Sequence, residues 1–220
     1  MLEIPEPKAL IFDWDNTLVD SWNIIHDAMN YTLVQNGMAP WSLNETKMRV
    51  NKSMRDSFPN LFGDSWENAA HIFYKRYKEI HLTLLKPLPH SEELLKMLHT
   101  NNLFISIISN KLGKYLRLES EYLGWNKYLT NLIGANDAKF DKPAKDPVYM
   151  ALKNSGQSPN EKVWFIGDSH IDLKCAINSG CTPILINPND LQSNEFKEYP
   201  PSMHFKDCYE LQAFIKTLFK

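Results

Sequence analysis

The chain is poor in every feature that would tie it to a membrane, a nucleic acid or a disulfide framework. No apolar run approaches the length of a membrane span, and the opening MLEIPEPKALIFD lacks a basic flank followed by a long apolar stretch, so the expected address is the cytoplasm, away from membranes. A formal net charge of −2 leaves no basic excess, and no cluster of Lys and Arg interleaved with aromatics could track a phosphate backbone. A nucleic acid polymer is therefore not an expected partner. Cysteine is scarce: Cys175, Cys181 and Cys208 are odd in number and without C-x-x-C spacing, which fits reduced thiols and supports neither a disulfide set nor a zinc site. Internal repeats and low-complexity tracts are also missing.

What is present is an ordinary globular composition, with 220 residues, 43% hydrophobic and 23% charged, enough for one α/β domain carrying a smaller insertion. Short apolar runs at Ala9–Phe12, 104–108, 163–166 and 183–186 are compact enough to be buried strands of a parallel sheet. Between them the spacing predicts helices over 91–101, opened by a Ser-Glu-Glu cap signal, over 114–123, and over 147–154 behind Asp146 as N-cap. Strands alternating with helices imply a Rossmann-like, doubly wound α/β fold.

One region breaks the alternation. From Leu18 to Lys86, roughly seventy residues read as successive helices, far longer than an ordinary βα connection. The expected organisation is a core of 1–18 and 87–220 with an inserted helical cap of 19–86, hinged near Asp20 and Pro87. Trp22–Gln35 and 65–85 carry the clearest helical patterns of the insertion, and 187–202, rich in Pro, Asn and Glu, reads as a surface loop.

Four polar clusters follow apolar strands. Ile11-Phe12-Asp13-Trp14-Asp15-Asn16-Thr17 runs a strand into two carboxylates one residue apart, which past a strand end can reach one site at the carboxyl edge of the sheet. Ile107-Ile108-Ser109-Asn110-Lys111 ends a strand in groups able to donate to phosphate oxygens, although an N-cap is the plain alternative. Lys142-Pro143 places an ammonium that could neutralise anionic oxygens, with Lys139 and Lys145 as competitors for that role. Gly167-Asp168-Ser169-His170-Ile171-Asp172 brings two carboxylates to the start of a helix, where hard oxygen ligands suit Mg²⁺.

In this order, DWDNT, ISN, KPAKDP and GDSHID resemble the four motifs of the haloacid dehalogenase superfamily of phosphohydrolases, and the likeness spans Asp13 to Asp172. The resemblance implies a Mg²⁺-dependent phosphatase. Asp13 would be the nucleophile that becomes an aspartyl phosphate, and Asp15 the acid and then the base. Thr17 would position them, Ser109 and Asn110 would bind phosphoryl oxygens, and Lys142 would stabilise charge. Asp13, the Asp15 carbonyl, Asp168 and, directly or through water, Asp172 would hold the metal. A carboxylate at Asp15 suits release of an alkoxide and disfavours carbon–halogen cleavage.

The tract DNTLVDS and the cap position are similar to phosphoglycolate phosphatases and their relatives. In Val50-Asn51-Lys52-Ser53-Met54-Arg55-Asp56-Ser57, the resemblance implies that Arg55 or Lys52 pairs with a carboxylate or second phosphate of a small phosphate ester. Asn16 stands where the family has glycine, Lys145 where relatives often have proline, and Trp14 is read as packing. Other readings are a phosphomutase of the β-phosphoglucomutase type, a nucleotidase or a non-catalytic phosphate-binding protein. The sequence leaves monomer and homodimer open.

Overall fold

The structure, a computed structural model, describes residues 4–50, 52–189 and 195–219. The chain forms two compact units, one made by the chain up to Val19 and again from Pro87, the other by Asp20–Lys86. In chain order, β1 (Ala9–Phe12) and β2 (Val19–Asp20) lead into α1 (Trp22–Gln35), α2 (Leu43–Arg49), α3 (Met54–Phe62) and α4 (Trp66–Leu84). Then β3 (Lys86–Pro87) pairs with β2. Helices and strands alternate from there: α5 (Ser91–Thr100), β4 (Phe104–Leu112), α6 (Gly113–Tyr122), β5 (Asn131–Ala135), α7 (Asp146–Ala151), β6 (Val163–Gly167), α8 (His170–Ser179) and β7 (Thr182–Ile186). The chain ends in α9 (Glu195–Glu198), β8 (Met203–Phe205) and α10 (Cys208–Leu218).

The main sheet has the order β5-β4-β1-β6-β7-β8 with parallel neighbours throughout, which is the expected doubly wound α/β architecture. Strand β1 lies between β4 and β6, with Ala9 opposite Phe104 on one side and Val163 on the other. Helices cover parallel sheets on both faces, so a central strand needs apolar side chains at every position. Ala9, Leu10, Ile11 and Phe12 are accordingly all buried. Below the sheet, Ile11, Phe165, Ile133, Val148, Cys175 and Ala176 share one core cluster. All three cysteines are buried free thiols, as expected. Among the described residues no helix is long and apolar enough to cross a membrane.

Several local expectations needed correction. Ser91 is the first helical residue of α5 rather than its cap; His90, in the left-handed region at φ 64, holds the cap position, and the Ser91 hydroxyl donates back to the Leu88 carbonyl. Asp146 likewise lies inside α7, behind Lys145, and that helix stops at Ala151. Strand β4 runs on to Leu112, with a register irregularity after Ile108 that lets Ser109 to Lys111 stay in the sheet. The edge strands β5 and β8 were not expected: Asn131 and Gly134 leave β5 only short apolar stretches of low strand preference, and β8 is three half-buried residues centred on His204. Residues 190–194 of the expected surface loop lie outside the described residues, and its end contains α9.

The helical unit packs α1 against α4, and its interior is aromatic. Phe58 meets Phe73 edge-on at 5.9 Å, and Phe73 stacks on Tyr77 at 5.7 Å. Arg76 of α4 forks onto Asp27 of α1 at 2.6 and 3.1 Å. Helix α2 starts with a capping box, in which the Ser42 hydroxyl accepts from the Glu45 amide and the Glu45 carboxylate accepts from the Ser42 amide. Trp22 and Trp41 lie under Lys47 and Arg49 at 5.7 and 4.9 Å, so both rings already carry a cation from their own unit.

Candidate active site

The site is assembled where β1, β4 and β6 end side by side. The Asp13 amide donates to the Ile166 carbonyl at 2.8 Å, which ties the end of β1 to β6 just where the acidic residues begin. The chain then turns sharply. Asn16 takes the left-handed conformation at φ 62, which Asn tolerates where the resemblance has glycine, and its amide bonds the Val19 carbonyl. That turn brings the Thr17 hydroxyl to 3.2 Å from Asp13 Oδ2.

Lys142 reaches the same carboxylate from the loop before α7. Its Nζ donates to Asp13 Oδ1 at 2.5 Å and to Asp172 Oδ1 at 2.7 Å, with all three side chains buried. The two competing lysines are exposed, and Lys139 lies over the Phe140 ring. Asn110 supports the lysine loop by donating from Nδ2 to the Lys142 carbonyl at 3.2 Å.

Asp172 has two tasks. Its Oδ2 accepts from the Ser169 amide and hydroxyl at 3.1 and 2.6 Å, capping α8, while Oδ1 holds Lys142. Gly167 makes room for it: a Cβ at that position would lie 2.3 Å from Asp172 Cβ and Cγ. Ligand oxygens of Asp13, Asp168 and Asp172 all lie within 4.8 Å of one another.

Gathering carboxylates away from water is unfavourable, and the titration directions show it. Burial is the largest influence on Asp13; Lys142 opposes it, Asp172 and Asp15 add to it, and the carboxyl is pushed up to about 7. Burial, with Asp13 and Asp172, also holds Asp168 well above the usual carboxylate range. Burial works against the Lys142 ammonium, but Asp13 and Asp172 outweigh it and raise its pKa. Two buried carboxylates and a half-buried one, with one ammonium among them, fit a small hard divalent cation, which would balance the remaining negative charge. The residues thus suit Mg²⁺.

Asp15 sits differently. Its Oδ1 accepts from Lys111 Nζ at 2.6 Å, and its Oδ2 is 3.4 Å from the Ser109 hydroxyl. Lys111 in turn donates to Glu119 Oε2 at 2.5 Å, and the same oxygen accepts from Trp14 Nε1 at 2.8 Å. Lys111 closes the second sequence cluster but carried no assigned role there, and Trp14 was expected to serve packing alone. Trp14 is indeed buried, edge-on to Trp125 at 5.6 Å, but it is also a hydrogen-bond donor. The overlooked signal is Glu119, an acid on the buried face of α6 beside Tyr115, Leu116 and Ser120. A carboxylate there demands a cation partner.

Asp13, Asp15, Thr17, Ser109, Asn110, Lys142, Asp168 and Asp172 all belong to the core unit. Lys52 and Arg55 belong to the helical unit, the first exposed just before α3 and the second half-buried in its first turn; their neighbour Asn51 lies outside the described residues. His170 is half-buried at the start of α8.

Residues 10–186 match the family of haloacid dehalogenase-like hydrolases. The chain belongs to that family. Among its relatives, a phosphoglycolate phosphatase of Photorhabdus laumondii is 27% identical over 182 residues, covering 79% of this chain and 77% of its own. The pyrophosphatase PpaX of Oceanobacillus iheyensis is 22% identical over 216 residues, covering 96% and 98%. In fold, the chain is similar to a haloacid dehalogenase-like hydrolase from Bacteroides fragilis, with a TM-score of 0.85, 22% identity and coverage of 94% and 100%. This haloacid dehalogenase-like chain is a phosphatase-type hydrolase.

Proposed function

We propose that the enzyme hydrolyses a small phosphate ester through an aspartyl phosphate on Asp13. The observation that carries this reading is the setting of the Asp13 carboxylate, buried and held by Lys142 on one oxygen and Thr17 on the other, two residues before Asp15. A carboxylate so fixed is a nucleophile already placed, and phosphoryl transfer demands placement and charge neutralisation above all.

In the first step an Asp13 oxygen attacks phosphorus, the bond from phosphorus to the leaving oxygen breaks, and Asp15 gives that oxygen its proton. In the second, Asp15 takes a proton from water, the water oxygen attacks phosphorus, and inorganic phosphate leaves while Asp13 regains its carboxylate. Lys142 neutralises charge on Asp13 and on the transferring group. Ser109 and Asn110 are assigned to the phosphoryl oxygens. Asp13, Asp168 and the Asp15 carbonyl would hold Mg²⁺, with Asp172 acting through water because Lys142 and Ser169 already engage its two oxygens. When bound, the metal would supply Lewis-acid polarisation of the phosphoryl oxygens.

The helical unit is read as the cap, and Arg55 and Lys52 as cations for a substrate carboxylate or second phosphate. The relatives named for phosphoglycolate and pyrophosphate hydrolysis support a substrate with such a second anionic group.

The test is phosphate release from phosphoglycolate, pyrophosphate, sugar phosphates and nucleoside monophosphates, with Mg²⁺ and with chelator. Mg²⁺-dependent release is expected from wild type and none above background from a folded Asp13→Asn variant. Near wild-type turnover in that variant would eliminate Asp13 as nucleophile. An isomer formed without free phosphate would make the enzyme a mutase, and silence across the panel would leave a phosphate binder.

A further inference from the structure

The structure assigns Glu119 and Lys111 as positioning residues for Asp15: together they fix Oδ1 of that carboxylate, and Oδ2, which the Ser109 hydroxyl meets only at 3.4 Å, is the oxygen that exchanges protons with substrate and water. This inference rests on the phosphatase reading and adds to it two residues outside the four motifs.

The geometry is a closed ring. Trp14 Nε1 donates to Glu119 Oε2, Lys111 Nζ joins Glu119 Oε2 to Asp15 Oδ1, and Asp15 is the peptide neighbour of Trp14. Its four members come from three stretches of the fold: Trp14 and Asp15 from the turn after β1, Lys111 from the end of β4 and Glu119 from the second turn of α6. Glu119 is fully buried and the Lys111 side chain is only 5% exposed. The strand irregularity after Ile108 lets Lys111 point its ammonium at Asp15 while its amide donates to the Ser109 hydroxyl at 3.1 Å.

A buried lysine–glutamate pair is seldom worth more to stability than two apolar side chains of the same volume, because both charges must leave water. What the pair does supply is orientation. A carboxylate at the end of a short side chain rotates about its terminal torsion, which is broad and shallow. With Oδ1 clamped to an ammonium that is itself clamped to Glu119, that rotation is frozen, and the lone pairs of Oδ2 are held in one direction. Acid and base catalysis depend on such placement before anything else.

The experiment separates placement of an acid from general damage. p-Nitrophenolate leaves phosphorus without needing a proton, whereas an alkoxide does not. Glu119→Gln keeps the shape and an acceptor for Trp14 but removes the charge that holds Lys111. In rapid-mixing single turnovers with Mg²⁺, formation of the aspartyl phosphate from phosphoglycolate, or from whichever alkyl ester wild type hydrolyses, is expected to slow on the order of ten- to a hundredfold. With p-nitrophenyl phosphate the same step keeps its wild-type rate, and a burst of p-nitrophenolate precedes a slowed steady state. An equal loss on both esters in the first step, or no change on either, overturns the inference. Should Glu119→Gln not fold, Lys111→Met with Glu119→Leu restores an apolar pair and gives the same comparison. A wild-type enzyme inert to every ester would instead defeat the phosphatase reading.

Discussion

Lys142 stands 2.5 Å from Asp13, and it is the buried ammonium that offsets a carboxylate pushed up to about 7. The same ammonium holds Asp172 at 2.7 Å, so one side chain links the end of β1 to the cap of α8. The charge neutralisation proposed for Lys142 and its part in holding the fold therefore rest on the same two contacts.

Lys142→Met separates the two effects in magnitude. Loss of the ammonium should lower kcat on the order of 10²–10³-fold, as for removal of a preorganised charge-stabilising donor. It also leaves Asp13 and Asp172 buried without their cation, which costs about 3–5 kcal/mol by analogy with other broken buried pairs. Steady-state kinetics and urea melts read the two quantities; a variant with unchanged kcat would remove Lys142 from the chemistry.

Stability of the metal-free protein should depend on pH in the direction opposite to an ordinary salt-bridged aspartate. The Asp13 pKa is raised from 3.8 to about 7, so between those values the folded state holds a proton that the unfolded state has released. Stability therefore falls as pH rises through that window, and Asp168 contributes with the same sign. Mg²⁺ binds the ionised form, so it should raise the melting temperature more above the window than below it. Thermal melts of wild type and Asp13→Asn, with Mg²⁺ and with chelator, check this; a wild-type slope no steeper than that of the variant would contradict it.

Gly167→Ala should be damaging although it adds one carbon. The new Cβ would meet Asp172 at 2.3 Å, so the carboxylate must leave either Ser169 or Lys142. Overpacking of this kind costs about 1–3 kcal/mol. A lower melting temperature together with weaker Mg²⁺ dependence is expected, and a variant unchanged in both would show that Asp172 can shift without consequence.

Much of this arrangement was legible because its chemistry follows the strands. Ala9–Phe12 and 163–166 are unbroken apolar runs, as a parallel sheet buried on both faces requires, and the polar residues just beyond them had to fall at the sheet's carboxyl edge. Choosing Lys142 over Lys145 took coordinates, since both follow the same loop and only burial tells them apart. Lys111 was named with its cluster but given no role, and Glu119 was not singled out, for another reason. Asp15 and Trp14, which they hold, lie far away in sequence, and a single glutamate on a helix reads as solvated until its face is known to be buried. The caps of α5 and α7 were misplaced by one residue, because Ser91 and Asp146 satisfy first-turn preferences as well as cap preferences.

Strand β1, which runs into Asp13, precedes every other described strand and gains its second neighbour only late in the chain. Its neighbours are Phe104–Ile107 and Val163–Ile166, so on a growing chain it waits through the whole helical insertion for one partner and through most of the core for the other. During synthesis the four apolar residues of β1 have nothing native to pair with, a state that invites association with chaperones or with other nascent chains. The centre of the sheet, best protected in the finished molecule, is its most vulnerable part while the protein is being born.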